Sequence, residues 1–203
     1  MTLSFDKRET PALMIIIKLM LAFLFALFSN SAASLNLNES RLSRAVEYFQ
    51  SGKYHEALLL FETLNKEFQL NPRFIAYLGV CYFYERNYKD AAKTFLYVLP
   101  LLENFAPHER SVYFYCAAES NYQLANYIES IGLFERQSLL CYDNERGDAF
   151  LRIGECYYFL GNIENSKEYF LQAIACYSKF NTKDKLHKAK NEMKNLEINK
   201  NGI

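Results

Sequence analysis

The sequence predicts an all-α protein built from repeated helix–turn–helix units, and three observations carry that prediction. The chain has 203 residues with only 7 Gly and 4 Pro, too few for a low-complexity or disordered segment. Aromatics are 16% of the chain, 17 Phe and 16 Tyr with no Trp, ample material for a packed core. A short pattern also recurs: an aromatic or aliphatic residue, a small residue three later, and Phe four beyond that. It stands at Tyr54, Ala57 and Phe61, at Tyr88, Ala91 and Phe95, at Tyr127, Ser130 and Phe134, and at Ile163, Ser166 and Phe170. Spacings of three and four keep side chains on one helix face. The Phe residues are 34, 39 and 36 apart, the length of a helix pair with its turns.

Taken in order, the first element is an address. Lys7, Arg8 and Lys18 precede the uninterrupted apolar run from Leu19 to Phe28. Ten residues match a signal-peptide core and fall short of a membrane span. Small residues at Ser31 and Ala33 fit cleavage after Ala33. Residues 1–33 are read as a secretory signal, which places the protein in a periplasm or cell envelope. Two alternatives stay open. Ala12 to Ile17 extend the apolar stretch across Lys18 toward an uncleaved signal anchor, and translation can begin at Met14. No Cys precedes Cys81, so a lipid-modified Cys at the cleavage point is excluded. Cleavage leaves a mature chain of about 170 residues.

The repeat region spans 38–180. Upstream of each small-residue–Phe pattern lies a second helical pattern. Its small residue is followed three later by Tyr in three copies: Ala45 and Tyr48, Gly79 and Tyr82, Gly154 and Tyr157; the third copy has Ala118 and Asn121. Small residues let a neighbour's ring approach closely, which sets ridges-into-grooves packing. Asn71-Pro72 reads as an N-cap followed by Pro at the first helical position. Pro100 and Pro107 bracket the five-residue expansion, so a longer loop is expected between the second and third units. Asp143 to Gly147 is the next break. Asn181 to Asp184 can open a final helix over 181–198, with Leu186, Ala189, Met193 and Leu196 at helical spacing among lysines, and residues 199–203 are expected to fray. Such a helix shields the last unit from water.

This pattern resembles the tetratricopeptide repeat family. The fullest copies are the second, with Leu78-Gly79, Tyr82, Tyr88, Ala91 and Phe95, and the fourth, with Ile153-Gly154, Tyr157, Gly161 and Phe170. Departures are the absent Trp early in each first helix, Asn121 in place of Tyr, and Arg41 and Arg44 where apolar residues are common. The resemblance implies a right-handed superhelical solenoid of about four units plus the capping helix. It also implies a concave groove lined by the first helices, taking a protein or peptide. Residues just after the Tyr position face that groove in the family: here Phe49, Phe83, Tyr122 and Tyr158, with Tyr84 and Phe159 beside them. Three positions earlier stand Val46, Val80, Glu119 and Glu155. The groove is therefore expected to be aromatic throughout, apolar toward the N-terminal half and acidic toward the C-terminal half, with Arg73 and Asp148 near its rim. The competing reading makes the stripe partly core. The Lys and Asn set with which family members clamp a peptide's C-terminal carboxylate is missing, which favours a hydrophobic segment or amphipathic helix as ligand.

Other chemistry is excluded or unsupported. Lys plus Arg is 23 and Asp plus Glu is 23; a zero net charge argues against a nucleic-acid binder. His55, His108 and His187 have no ligand spacing. The five Cys include no CxxC, and the small slots they occupy read as buried apolar positions; the sharper reading is a disulfide between two of them. Cys81 and Cys156 each lie two residues after a first-helix Gly. The acidic run Glu164 to Glu168 reads as a solvated face. No nucleophile elbow, P-loop or dinucleotide fingerprint occurs, so the protein is expected to be no enzyme and to need no cofactor or metal. Membrane contact is expected only through an uncleaved N-terminus, and self-association through the aromatic groove is a further option.

Overall fold

The computed structural model describes residues 38–201, with side chains through Leu196. The segment 1–33, expected as a signal or an anchor, lies outside the described residues, as do residues 202–203. The chain divides into two compact units, 1–44 and 45–203. Of the first, residues 38–44 are the opening of a helix, in which Arg41 Nη1 donates to Asn38 Oδ1 at 3.3 Å. The second unit carries the repeats.

Helix α1 covers 38–50. It is followed by α2 Tyr54–Glu67, α3 Pro72–Tyr84, α4 Tyr88–Val98, a 3₁₀ turn Leu99–Leu102, α5 Pro107–Gln123, α6 Tyr127–Leu140, α7 Arg146–Phe159, α8 Ile163–Lys179 and α9 Lys183–Asn201. Every regular element among the described residues is helical, and helices adjacent in sequence pack as consecutive pairs. None of the described helices is long and apolar enough to cross a membrane.

The repeat pattern becomes packing in a direct way. Phe61, Phe95, Phe134 and Phe170 are all buried to within 1%. The small residues of the first helices exist for them. A Cβ on Gly79 would stand 2.9 Å from Phe95 Cζ, and one on Gly154 would stand 2.5 Å from Phe170 Cδ1, inside any tolerable carbon–carbon contact. The small residues of the second helices, Ala57, Ala91, Ser130 and Ser166, are wholly buried against the same seam. Where the residue is Ser, its hydroxyl donates to the carbonyl of the facing small residue: Ser130 Oγ to Ala118 O at 3.0 Å and Ser166 Oγ to Gly154 O at 2.8 Å. A hydroxyl in that slot would otherwise be an unsatisfied buried donor.

The turn inside each pair is one motif used four times. Gly52, Arg86, Ala125 and Gly161 all have positive φ, between 59° and 76°. Their N–H groups bond back three residues, and the next N–H bonds back five, as in Lys53 N to Tyr48 O and Asn162 N to Tyr157 O, both 2.9 Å. This is the Schellman closure of a helix C-terminus. Two of the four copies place a side chain where glycine is the strain-free choice. Asn181, before α9, closes α8 the same way, with Thr182 N reaching Tyr177 O at 3.1 Å.

Asn71 caps α3 as expected, its Oδ1 accepting from Phe74 N at 3.2 Å with Pro72 at the first helical position. The expansion between Pro100 and Pro107 is partly a 3₁₀ turn rather than an open loop. Leu99 and Leu102 stand three apart, so the tight turn points both inward, at 9% and 0% exposure. The final helix, expected over 181–198, runs to Asn201 and buries Ala189 and Leu196 against α7 and α8. Cys81, Cys116, Cys141 and Cys156 are buried thiols, and Cys176 is half-buried.

Candidate interaction surface on the first helices

The first helices carry two aromatic clusters. In the N-terminal one, Phe49 stacks on Tyr77 with ring centroids 4.2 Å apart and meets Tyr54 edge-on at 5.8 Å. Tyr54 in turn stacks on Tyr84 at 3.9 Å and 2°, and Phe83 touches Tyr84 and Tyr115 edge-on. In the C-terminal one, Tyr127 stacks on Phe159 at 5.0 Å, while Tyr122 and Tyr158 meet Phe159 edge-on at 6.2 and 5.7 Å. Tyr54 with Tyr84 and Tyr127 with Phe159 are equivalent contacts in different repeats: the Tyr that opens a second helix lies flat on the last ring of the next first helix. At the corresponding positions of the second and third units stand Tyr88 and Gln123, and Gln123 offers no ring to stack on.

The eight expected residues therefore divide. Phe49, Phe83 and Tyr122 are half-buried by ring contacts between neighbouring repeats, so each carries part of the packing that the competing reading assigned to it. Tyr84, Tyr158 and Phe159 keep 52%, 38% and 54% of their surface exposed. Glu119 and Glu155 are 5% and 9% exposed.

That burial corrects the expected charge. The C-terminal half does not present free carboxylates. Arg152 lies between them, its Nη2 donating to Glu119 Oε1 at 2.8 Å and its Nη1 to Glu155 Oε2 at 2.7 Å. Lys188 of α9 reaches Glu155 Oε1 at 3.2 Å, Gln123 Nε2 donates to Glu119 Oε1 at 3.1 Å, and the Arg152 guanidinium covers the Tyr122 ring at 4.6 Å. The four charges sum to zero, so the surface there is neutral and aromatic. Burial alone would disfavour the charge on Arg152, but Glu119 and Glu155 outweigh it and its pKa is raised. Burial, then the field of Glu155, raises the Tyr122 hydroxyl. Burial and the facing Tyr84 push Tyr54 up to about 12.

The expected rim residues are likewise engaged within the chain. Arg73 forms a two-pronged pair with Glu109 at 3.0 and 3.1 Å and covers Phe105. Asp148 accepts from the Tyr177 hydroxyl at 2.8 Å and from Lys185 at 2.6 Å. Helix α9 thus crosses the end of the aromatic face. Its Glu192, Asn195 and Leu196 join Tyr122, Glu155, Tyr158 and Phe159 around a cavity of about 350 Å³. Reading residues singly missed Arg152 and the stacking partners Tyr54, Tyr77 and Tyr127. The signals for Arg152 were present: it precedes Glu155 by three and follows Glu119 by about one repeat.

With this geometry in view, the class of the protein is an array of helix–turn–helix repeats. Residues 147–177, spanning α7 and α8, match the tetratricopeptide repeat, a repeat whose domains typically bind proteins or peptides and are typically non-catalytic. Its fold is similar to that of the kinesin light chain TPR-like repeats of Podosopora anserina, with a TM-score of 0.56 at 14% identity over 78% of this chain and 89% of that one. It is similar to the AMB-1 form of MamA, with a TM-score of 0.56 at 20% identity over 67% and 70%. It is also similar to the apo form of RapI, with a TM-score of 0.64 at 12% identity over 81% and 64%. No curated protein sequence matches the chain.

Proposed function

We propose that the chain is a non-catalytic interaction scaffold, exported to a periplasm or cell envelope, that holds a peptide or helix of a partner protein against the aromatic face of its first helices. One observation carries this reading: Tyr84, Tyr158 and Phe159 remain substantially exposed while one face or edge of each is fixed by a neighbouring ring. Rings held this way lose little entropy on binding and bury large apolar area. The neutralised Glu119–Arg152–Glu155 cluster removes the charge that would repel an apolar ligand. The alternative role, a membrane-tethered accessory subunit held by an uncleaved N-terminal helix, uses the same surface and differs only in whether residues 1–33 are removed.

The experiment is affinity capture from the native envelope fraction with wild type and with Tyr84→Ala plus Tyr158→Ala. The exposed rings are replaced rather than the half-buried Phe83 and Tyr122, so that the melting temperature is held. Loss of the captured protein at unchanged melting supports the reading; retained capture refutes it. N-terminal sequencing of the captured scaffold separates the exported from the tethered form.

A further inference from the structure

The chain has a second surface, distinct from the aromatic face, that none of the described side chains completes. A groove of about 610 Å³ runs between α4 and α6 with α5 as its floor, lined by Phe95, Leu96, Leu99, Phe114, Ala117 and Leu133 among others. Leu96 is 81% exposed, on a helix that buries Ala91, Phe95 and Val98.

Two further observations say what belongs there. The first is charge. Lys93, Arg110 and Arg136 line the groove together with Glu103 and Glu129, so the lining is net positive by one charge, and none of the three cations is paired with a carboxylate among the described residues. Arg110 Nη1 has only the Glu103 carbonyl at 3.3 Å, and its Nε is buried with no partner. Arg136 has only the Phe114 ring, at 6.0 Å. The other arginines of α3 and α7 are paired: Arg73 with Glu109, Arg146 with Asp143, and Arg152 with two carboxylates. A guanidinium group over an apolar floor, with donors left over, fits an incoming carboxylate. The second observation is Gly132. It lies inside α6, where glycine is destabilising relative to alanine, and it lines the groove. A Cβ built on it would meet nothing within 4 Å, unlike Gly79 and Gly154. Intramolecular packing therefore does not require this glycine. Its missing side chain deepens the groove and lets a ligand's backbone come close.

We infer that this groove docks an acidic amphipathic helix of a partner protein, its apolar side chains on Leu96, Phe114 and Leu133 and its carboxylates on Arg110 and Arg136. Apolar contact supplies the area and the two arginines fix register and polarity.

The test uses the full chain and a capped, fluorescently labelled model peptide of about 15 residues with leucines at helical spacing and glutamates beside them, followed by anisotropy. The glutamate peptide is expected to bind, and its glutamine twin to bind about tenfold more weakly. Arg110→Gln plus Arg136→Gln is expected to remove that preference. Gly132→Leu is expected to abolish binding with no fall in melting temperature, because the space it fills is open. Tyr158→Ala is expected to leave binding intact, which separates this groove from the aromatic face. Absence of binding, equal binding of both peptides, or full binding to the Gly132→Leu protein overturns the inference. So does binding of laurate, an apolar acid, without binding of the peptide, since that would make the groove a site for free amphiphiles.

Discussion

Two glycines of this chain sit in helices for opposite reasons, and the same substitution should move stability in opposite directions. At Gly154 an added Cβ would lie 2.5 Å from Phe170 Cδ1 and 2.6 Å from Cε1. Phe170 is 1% exposed and packed with Leu151, Tyr177 and Leu196, so displacing the ring would disturb that layer. Overpacking of this kind costs about 1–3 kcal/mol, and the closeness of the contact places it toward the upper part of that range. Replacing a mid-helix glycine with alanine returns about 1 kcal/mol. The balance for Gly154→Ala is a net loss of about 1–2 kcal/mol, a fall of roughly 2–8 °C in melting temperature for a chain of this size. At Gly132 the Cβ meets nothing within 4 Å, so only the helix term remains and Gly132→Ala should gain about 0.5–1 kcal/mol. Thermal and urea melts followed by circular dichroism read both. A Gly154→Ala protein as stable as wild type would refute the claim that the small residue exists to seat the Phe ring. A destabilised Gly132→Ala protein would show that the groove wall is tighter than described.

Other outcomes rest on the same contacts. Arg152→Ala leaves Glu119, 5% exposed, without its cation and should cost about 3 kcal/mol in a urea melt; adding Glu119→Gln should recover much of that, and purely additive losses would argue against the pairing. Ala125→Gly and Arg86→Gly relieve positive φ of 59° at two Schellman turns, and each should stabilise by about 0.5–1 kcal/mol despite the added freedom of the unfolded chain; a loss would place the strain elsewhere. Asn71→Ala removes the acceptor of Phe74 N and should cost about 1 kcal/mol. Burial pushes Cys81 and Cys116 up to about 12 and Cys156 up to about 11 from 9.0. Since the unfolded thiols ionise first, their contribution is intact below pH 9 and is lost as pH rises toward 12. Alkaline melts should show this decline, and Cys81→Ala plus Cys116→Ala should flatten it.

The repeat was legible because its residues are constrained by contacts of fixed sequence spacing. The small residue and the Phe of each unit touch each other, so their periodicity writes the packing into the chain, as Gly79 with Phe95 and Gly154 with Phe170 show. The Asn71-Pro72 boundary was legible because the cap is local. The division of the aromatic stripe was not. Tyr122 and Tyr158 have the same type and phase, yet Tyr122 is half-buried under Phe159 of the adjoining repeat and Arg152 while Tyr158 is 38% exposed. The acidic half was misread for a related reason: Glu119 and Glu155 are a repeat apart and share Arg152, so neither one's own surroundings in sequence reveal the neutralisation. The Schellman turns at Arg86 and Ala125 escaped notice because the usual glycine is absent there. The groove lined by Arg110 and Arg136 is assembled from three helices and has no signature along the chain.

The side-chain hydrogen bonds from His108 to Glu145 and from Lys185 to Asp148 each span 37 residues, about the length of one repeat. The chain can therefore complete each helix pair as it emerges during synthesis, without waiting for a distant segment to return. The first seam, around Phe61, needs no residue beyond the second unit, and the last, around Tyr177 and Leu196, closes only when α9 arrives. A chain ending before Lys183 would keep its early pairs native and leave the face around Tyr177 uncovered.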